Sequence, residues 1–408
     1  MTAHVEILRA LARRTDSKIV LLVLDGVGDI HTGDSPRTPL ESATTPNLDK
    51  LAEASALGLS LPVDVGITPG SGPGHLGLFG YDPTEERHQI GRGVLEALGI
   101  NYSLEPGQVA ARGNYCTLDA KGRITDRRAG RPSQEDCERV SALLDAAIDV
   151  IDGVGVRVLP VKEHRFCAIF SGPDISAAIE DTDPQQTGVA PLTAIARDAT
   201  PHGARMARVV DRFVAEARAK LSAEPKINGL TLRGFSTDPG LPTFGELYRL
   251  APAAVAAYPL YRGVARLAGM DVLKTGPTPA DAFATVARHW ADHDFFFIHI
   301  KKTDSSGEDG DREAKIAAIE SVDAAFAALI ELKPDVIAVT GDHGTPHVMK
   351  SHSWHAVPLL VHGPHCDIDQ TTRFTESEAR QGSLGTLRAD RLIGLLLANG
   401  GKLAKFGA

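Results

Sequence analysis

The sequence predicts an α/β protein: a mostly parallel sheet flanked by helices, with a smaller α+β domain inserted into it. Three observations carry that expectation. Apolar runs at residues 18–24, 294–300 and 335–340 read as strands buried on both faces, and they lead into Asp25, Asp304 and Asp342. The stretch 110–227 has a different character, rich in Arg and Asp, and it separates the first of these aspartates from the other two. The composition is that of a loop-rich globular enzyme, with 43% hydrophobic and 5% aromatic residues, 40 glycines and 25 prolines.

In chain order, the first strand is followed by a segment at 38–57 in which Thr45 and Pro46 precede Asn47, Leu48, Asp49, Lys50 and Leu51. A capping threonine with proline at the first position marks a helix start, so strand, loop and helix open a βα unit. A Gly/Pro-rich turn at 68–74 then enters a helix at 75–81. Glycines there allow the backbone to approach a ligand, and the helix dipole favours an anion. Within 110–227, short strands are expected at 156–161 and 166–170 and a helix at 204–221. The main sheet resumes near 253–258, with a further strand at 357–361 and an apolar helix at 388–399. This assigns 1–109 and 228–408 to a metal-binding core and 110–227 to an inserted, substrate-gripping cap.

The carboxyl ends of parallel strands share one edge, where α/β proteins place their ligands, so these aspartates can meet although they are far apart in sequence. Carboxylates gathered on such an edge repel one another, and a divalent cation neutralises them. Asp342 and His343 side by side, His352 nine residues beyond His343, and Asp304 followed by Glu308 add oxygen and imidazole donors enough for two ions. Ser71, between glycines ahead of a helix, reads either as a cap or as a metal-activated nucleophile. In the insert, Arg127, Arg128, Arg131 and Arg165 offer guanidinium forks suited to phosphate and carboxylate. A metal edge on one domain and arginines on the other suggest a cleft for a small anionic substrate.

A formal charge of -9 argues against nucleic acid or an anionic membrane as partner. Cys116, Cys137, Cys167 and Cys366 form no CxxC pair, which indicates neither a thiolate zinc site nor a disulfide framework. No segment has the length and apolarity of a membrane span and residues 1–16 lack an apolar leader core, so a cytoplasmic location is expected. A homo-oligomer is compatible with the chain.

The ordered series VLDGVGD, TPLESATTPNLDKLA, PGSGPGHLGLFGYDP, RGNY, DRRAGR, HRF, DTDPQ, YPLYRG, KKTDSSGEDG, TGDHGTP and HSWHAVP spans nearly the whole chain. It resembles the cofactor-independent phosphoglycerate mutases of the archaeal type, within the alkaline phosphatase superfamily. The resemblance implies an alkaline-phosphatase-like core. It also implies one divalent metal on Asp25, Ser71, Asp342 and His343, with Ser71 as nucleophile, and a second on Asp304, the position of Glu308, and His352. It further implies interconversion of 3- and 2-phosphoglycerate through phosphoserine, without bisphosphoglycerate. Asp126 becomes a candidate proton shuttle, and Arg262 an added positive charge near the phosphoryl group.

Two positions depart from the family pattern. Glu308 stands where the family usually has histidine, which hardens the site toward manganese or magnesium over zinc, with cobalt also compatible; His347 or His355 could otherwise fill the gap. Gly72 replaces an acidic residue after the nucleophile. Rival readings are a metal-dependent phosphatase or phosphotransferase acting on another small phosphorylated metabolite, and an inactive metabolite-binding relative.

Overall fold

Long apolar runs can be tolerated in a chain only where both faces of a strand are covered, and that is where the central strands lie. The computed structural model describes residues 3–85, 88 and 90–407. Its named strands begin with β1 Ile19–Leu24, β2 Ala56–Leu61, β3 Gln108–Leu118, β4 Ile124–Asp126, β5 Val150–Ile151, β6 Val154–Lys162 and β7 Arg165–Ser171. They continue with β8 Gly229–Ser236, β9 Pro252–Ala256, β10 Asp271–Leu273, β11 Phe295–Ile300, β12 Val336–Thr340, β13 Val357–His362 and β14 Gly385–Arg388.

The chain divides into two units, Met1–Gln89 with Leu241–Ala408, and Ile90–Gly240. The first is built on an eight-stranded sheet of order β10-β9-β11-β1-β12-β13-β2-β14. From β10 to β12 every pairing is parallel; β13 runs against both of its neighbours, and β14 is parallel to β2. Leu22 sits between Ile298 and Val339, so β1, β11 and β12 end together and deliver Asp25, the 301–304 segment and Asp342 to one edge. Every residue of these three strands is buried. Helices Pro279–Arg288 and Arg312–Ile330 help cover the sheet, with Phe283, Val286, Ile319, Val322 and Phe326 packed in one cluster with Val20, Leu22, Phe296 and Val339.

The second unit holds a six-stranded antiparallel sheet of order β4-β3-β7-β6-β5, with β8 also on β3. Helices Gln134–Ala147 and Pro201–Leu221 contribute Val140, Leu144, Val209, Val210 and Phe213 to its own core. β8 pairs with β3 from Ala110 to Cys116, which places residues 229–236 here and moves both boundaries outward from 110 and 227. A composition shift marks where the surface changes, whereas hydrogen-bonded partners decide where a unit ends.

Two local readings are corrected. The helix expected to start at Pro46 is present as Pro46–Ala52, but Thr45 makes no side-chain capping bond to it, and the rest of 38–57 holds helix Pro39–Ser42 and, from Ala56, the extended β2. Residues 388–399 form the end of β14, a 3₁₀ turn and then helix Leu392–Asn399. Among the described residues no helix is long and apolar enough to cross a membrane.

Candidate metal centre and nucleophile

Asp25 is the first residue after β1 and is wholly buried. The next position, Gly26, has φ +63°, and a Cβ there would lie 2.4 Å from Thr345 Oγ1 and 2.8 Å from Asp304 Oδ1. Only glycine lets the loop turn this tightly against the neighbouring ligands. Asp342 follows β12, and Gly26 N–H donates to its Oδ1 at 3.2 Å. His343 Nε2 lies 3.3 Å from Asp25 Oδ1 and 3.3 Å from Asp342 Oδ2. Its Nδ1 is 3.1 Å from Thr345 Oγ1, and that hydroxyl donates to Asp304 Oδ1 at 2.5 Å.

These contacts produce two adjoining donor sets. Asp25, Asp342 and His343 present ligand atoms within 4.8 Å of one another, and so do Asp304, His343 and His352. His343 and His352 stack with ring centroids 3.6 Å apart. His352 Nε2 lies 3.6 Å from Asp304 Oδ1 and 3.8 Å from Glu308 Oε1, on the helix Lys302–Asp309 that carries both acids. Glu308 is therefore beside the second set, though exposed, while Asp304 is buried. His347 is engaged elsewhere: its Nδ1 meets Asp29 Oδ1 at 3.1 Å. His355 stacks on Trp354.

The chemistry of the set fits divalent cations. Asp25 Oδ1, Asp342 Oδ2 and His343 Nε2 are buried and make no well-formed hydrogen bond, although they face one another. Leaving such atoms unpaired is costly, so three converging ones point to a cation. The electrostatics agree. Burial opposes charge on Asp25, yet Lys301, a hydrogen bond from His299 and the adjacent His343 hold its carboxyl well below the usual range. Burial likewise opposes a charged His343, yet Asp342 and Asp25 push it up to about 9. The same two carboxylates that favour a positive charge on His343 would favour a metal ion there, with the imidazole neutral as its ligand.

Ser71 is the first residue of helix Ser71–Leu78; Gly70 is the cap. Its hydroxyl is not spent on capping, which removes the ordinary use of a serine in such a turn. Instead Tyr261 OH donates to Ser71 Oγ at 3.4 Å, and Lys301 Nζ donates to Tyr261 OH at 3.1 Å. Lys301 also pairs with Asp25 at 3.1 Å and more closely with Asp304. Burial opposes its charge, but the two aspartates raise its pKa and keep it protonated. Burial, with Asp25 and Asp342 nearby, raises Tyr261 far above its ordinary value, so the phenol stays a donor. The serine helix is fastened by His75, whose Nδ1 reaches Ser71 O at 2.8 Å and Asp342 Oδ2 at 3.1 Å, and by His352 Nδ1, 3.0 Å from Pro69 O.

Sequence reasoning named neither Lys301, Tyr261 nor His299 as a site residue. His299 donates to Asp25 Oδ2 at 3.1 Å, and its ring stacks on Tyr261 at 3.6 Å. A histidine inside the apolar run Phe-Phe-Phe-Ile-His-Ile, one residue from the strand's end, was the available signal. Arg262, next to Tyr261 on helix Pro259–Leu267, is half-buried.

In the second unit, Asp126 ends β4, and its two carboxylate oxygens accept from Arg128 N and Gly130 N, each at 2.7 Å. The turn it holds places Ala129, Gly130 and Arg131 at positive φ. Arg127 pairs with Asp183 at 2.9 Å. Burial and then the charges of Arg165, Arg112, Arg128 and Arg131 push His164 down to about 4, so four guanidinium groups act on one neutral imidazole. Arg112, 3.4 Å from Glu96, is the member that sequence reasoning did not name.

An α/β fold with these paired acid and imidazole sets defines a metalloenzyme, and the profile of the Metalloenzyme superfamily matches residues 17–399. That membership implies divalent metal ions. A probable 2,3-bisphosphoglycerate-independent phosphoglycerate mutase of Thermus thermophilus is 48% identical over 405 residues, 98% of this chain and 99% of its own. Its namesake in Deinococcus radiodurans is 49% identical over 414 residues, covering both chains completely. The solved cofactor-independent phosphoglycerate mutase of Thermoplasma acidophilum is 31% identical with a TM-score of 0.68, over 94% of this chain and 99% of that one. A Pyrococcus horikoshii protein gives 30% and 0.81, over 96% and 99%. The chain belongs to the 2,3-bisphosphoglycerate-independent phosphoglycerate mutase family.

Proposed function

We propose that this protein interconverts 3-phosphoglycerate and 2-phosphoglycerate through a phosphoserine at Ser71, as an intramolecular phosphotransferase. The observation that carries the reading is the convergence of Asp25, Asp342 and His343, each with an unpaired buried atom, beside a second set of Asp304, His343 and His352, in a chain whose full-length relatives bear that name. Asp25, Ser71, Asp342 and His343 would hold one divalent ion; Asp304, Glu308 and His352 would hold the other. The chemistry such ions supply when bound is a lowered pKa for the serine hydroxyl and neutralisation of phosphoryl charge. Manganese suits the oxygen-rich second set better than zinc does, with magnesium and cobalt as alternatives.

In the forward direction Ser71 Oγ attacks phosphorus, and the bond from phosphorus to the 3-oxygen of glycerate breaks. The serine proton ends on that departing oxygen. The 2-hydroxyl then attacks the phosphoserine, the bond to Ser71 Oγ breaks, and the proton returns to the serine. Tyr261 orients Ser71 Oγ throughout, and Lys301 holds Tyr261 and the two aspartates in place. We assign the second unit to the anion grip, with Arg127, Arg128, Arg131 and Arg165 as substrate contacts, Asp126 as proton carrier between the hydroxyls, and Arg262 of the first unit as a further positive charge. A cytoplasmic location belongs to the same reading.

The test is to supply 3-phosphoglycerate and manganese without bisphosphoglycerate and couple the product to enolase. Product without release of free phosphate supports the mutase; free phosphate without 2-phosphoglycerate would make the protein a phosphatase.

A further inference from the structure

Lysine is almost never fully buried, because an ammonium without partners loses its hydration for nothing in return. Lys315, on helix Arg312–Ile330, has 0% exposure. Its three protons have three acceptors: Thr345 O at 2.8 Å, Gly28 O at 3.3 Å and Asp29 Oδ2 at 3.0 Å. Gly28 and Asp29 belong to the loop that starts at Asp25, and Thr345 belongs to the loop that carries Asp342 and His343.

The same two loops are stitched together by Thr345 N–H, which meets Gly26 O at 3.2 Å and Gly28 O at 3.0 Å. Thr345 Oγ1 in turn reaches Asp304 and His343. Asp29 is fixed from its other sides: His347 N–H donates to Oδ2 at 3.0 Å, and Asp29 N–H donates to Glu376 Oε1 at 3.2 Å. Glu376 itself accepts from Thr38 Oγ1 at 2.7 Å. A buried, fully satisfied network of this kind fixes one arrangement of the elements it joins.

We propose that Lys315 is a positioning residue for the metal centre, clamping the Asp25 loop to the Asp342–His343 loop so that the ligand atoms converge before an ion binds. The inference rests on the metal reading of the site. Its energetic consequence is that of an outer contact that orients ligands, and its loss lowers metal affinity roughly tenfold to a hundredfold.

The test uses metal binding rather than turnover. Manganese affinity of the metal-free protein is measured by competition with a chromophoric chelator, and its urea unfolding is followed by circular dichroism. Lys315→Met would leave the Asp29 carboxylate buried without its lysine counter-charge, so the decisive variant is the charge-neutral pair Lys315→Met with Asp29→Asn. The control is Lys402→Met. Lys402 also has 0% exposure and donates to Thr15 O at 2.9 Å, near Asp294, at the opposite end of the strands. The double variant is expected to fold and lose at least about tenfold in affinity, whereas Lys402→Met loses stability and keeps its affinity. Affinity in the double variant within about twofold of the wild type, or an equal loss in Lys402→Met, would overturn the proposal. A wild-type protein that binds no metal would instead refute the metal reading beneath it.

Discussion

Replacing Gly74 by alanine isolates the contact that holds the serine helix on the metal edge. A Cβ at Gly74 would lie 2.3 Å from the Asp342 carbonyl oxygen, 3.1 Å from its carbon and 3.3 Å from Asp342 Cβ. Backbone cannot rotate away as a side chain can, so the helix must retreat by roughly 1 Å, and Ser71, its first residue, moves with it. Helix propensity pulls the other way, since alanine in a helix is favoured over glycine by about 1 kcal/mol. Any loss therefore reports position rather than a weakened helix. A displacement of about 1 Å between nucleophile and reacting group costs on the order of a hundredfold in rate. The assay is kcat by enolase coupling at saturating manganese, with metal content and circular dichroism as checks. Gly70→Ala serves as control, because its Cβ would meet nothing nearer than Pro73 Cδ at 3.9 Å. Gly74→Ala turning over within about threefold of Gly70→Ala would refute the reasoning.

Tyr261→Phe removes one hydrogen bond to Ser71 Oγ and should lower kcat about tenfold with metal content unchanged, checked by steady-state kinetics and elemental analysis. Glu308→Ala should weaken manganese binding at the second set by about tenfold or more in a metal titration, and normal occupancy with normal turnover would contradict a ligand role. Burial pushes the Glu376 carboxyl up to about 7 against its hydrogen bond from Thr38 and the charge of Lys315. Because the folded protein holds this proton more tightly than the unfolded chain does, the stabilisation is complete below about pH 4.5 and is lost as pH rises through about 7. Glu376→Gln should therefore gain about 3 kcal/mol relative to the wild type between pH 5 and 8, measured by urea unfolding of metal-free protein.

The central strands were readable because parallel strands covered on both faces must be apolar throughout, and the aspartates stand out where the run ends. β2 was not readable: Ala-Leu-Gly-Leu-Ser-Leu follows a helix closely, and only pairing with β13 and β14 decides its extended form. Residues 229–236 were placed in the wrong unit for the same reason, since β3 is their partner. At the site, the acid and imidazole positions carry a chemical signature in the chain itself. Lys301, Tyr261, Thr345 and Lys315 do not, because each acts through a contact with residues brought near by folding, and a lysine in a helix reads as solvated until its burial is known. Ser71 lay between: the turn was legible, but its freedom from capping depended on Gly70 taking that position.

The most direct measurement is mass spectrometry of the peptide containing Ser71 after rapid quenching of the manganese-loaded protein with 3-phosphoglycerate. The account predicts a phosphoryl group on Ser71, and a Ser71→Ala protein that neither carries it nor turns over. Turnover persisting in Ser71→Ala, or phosphate trapped on another residue, would contradict it.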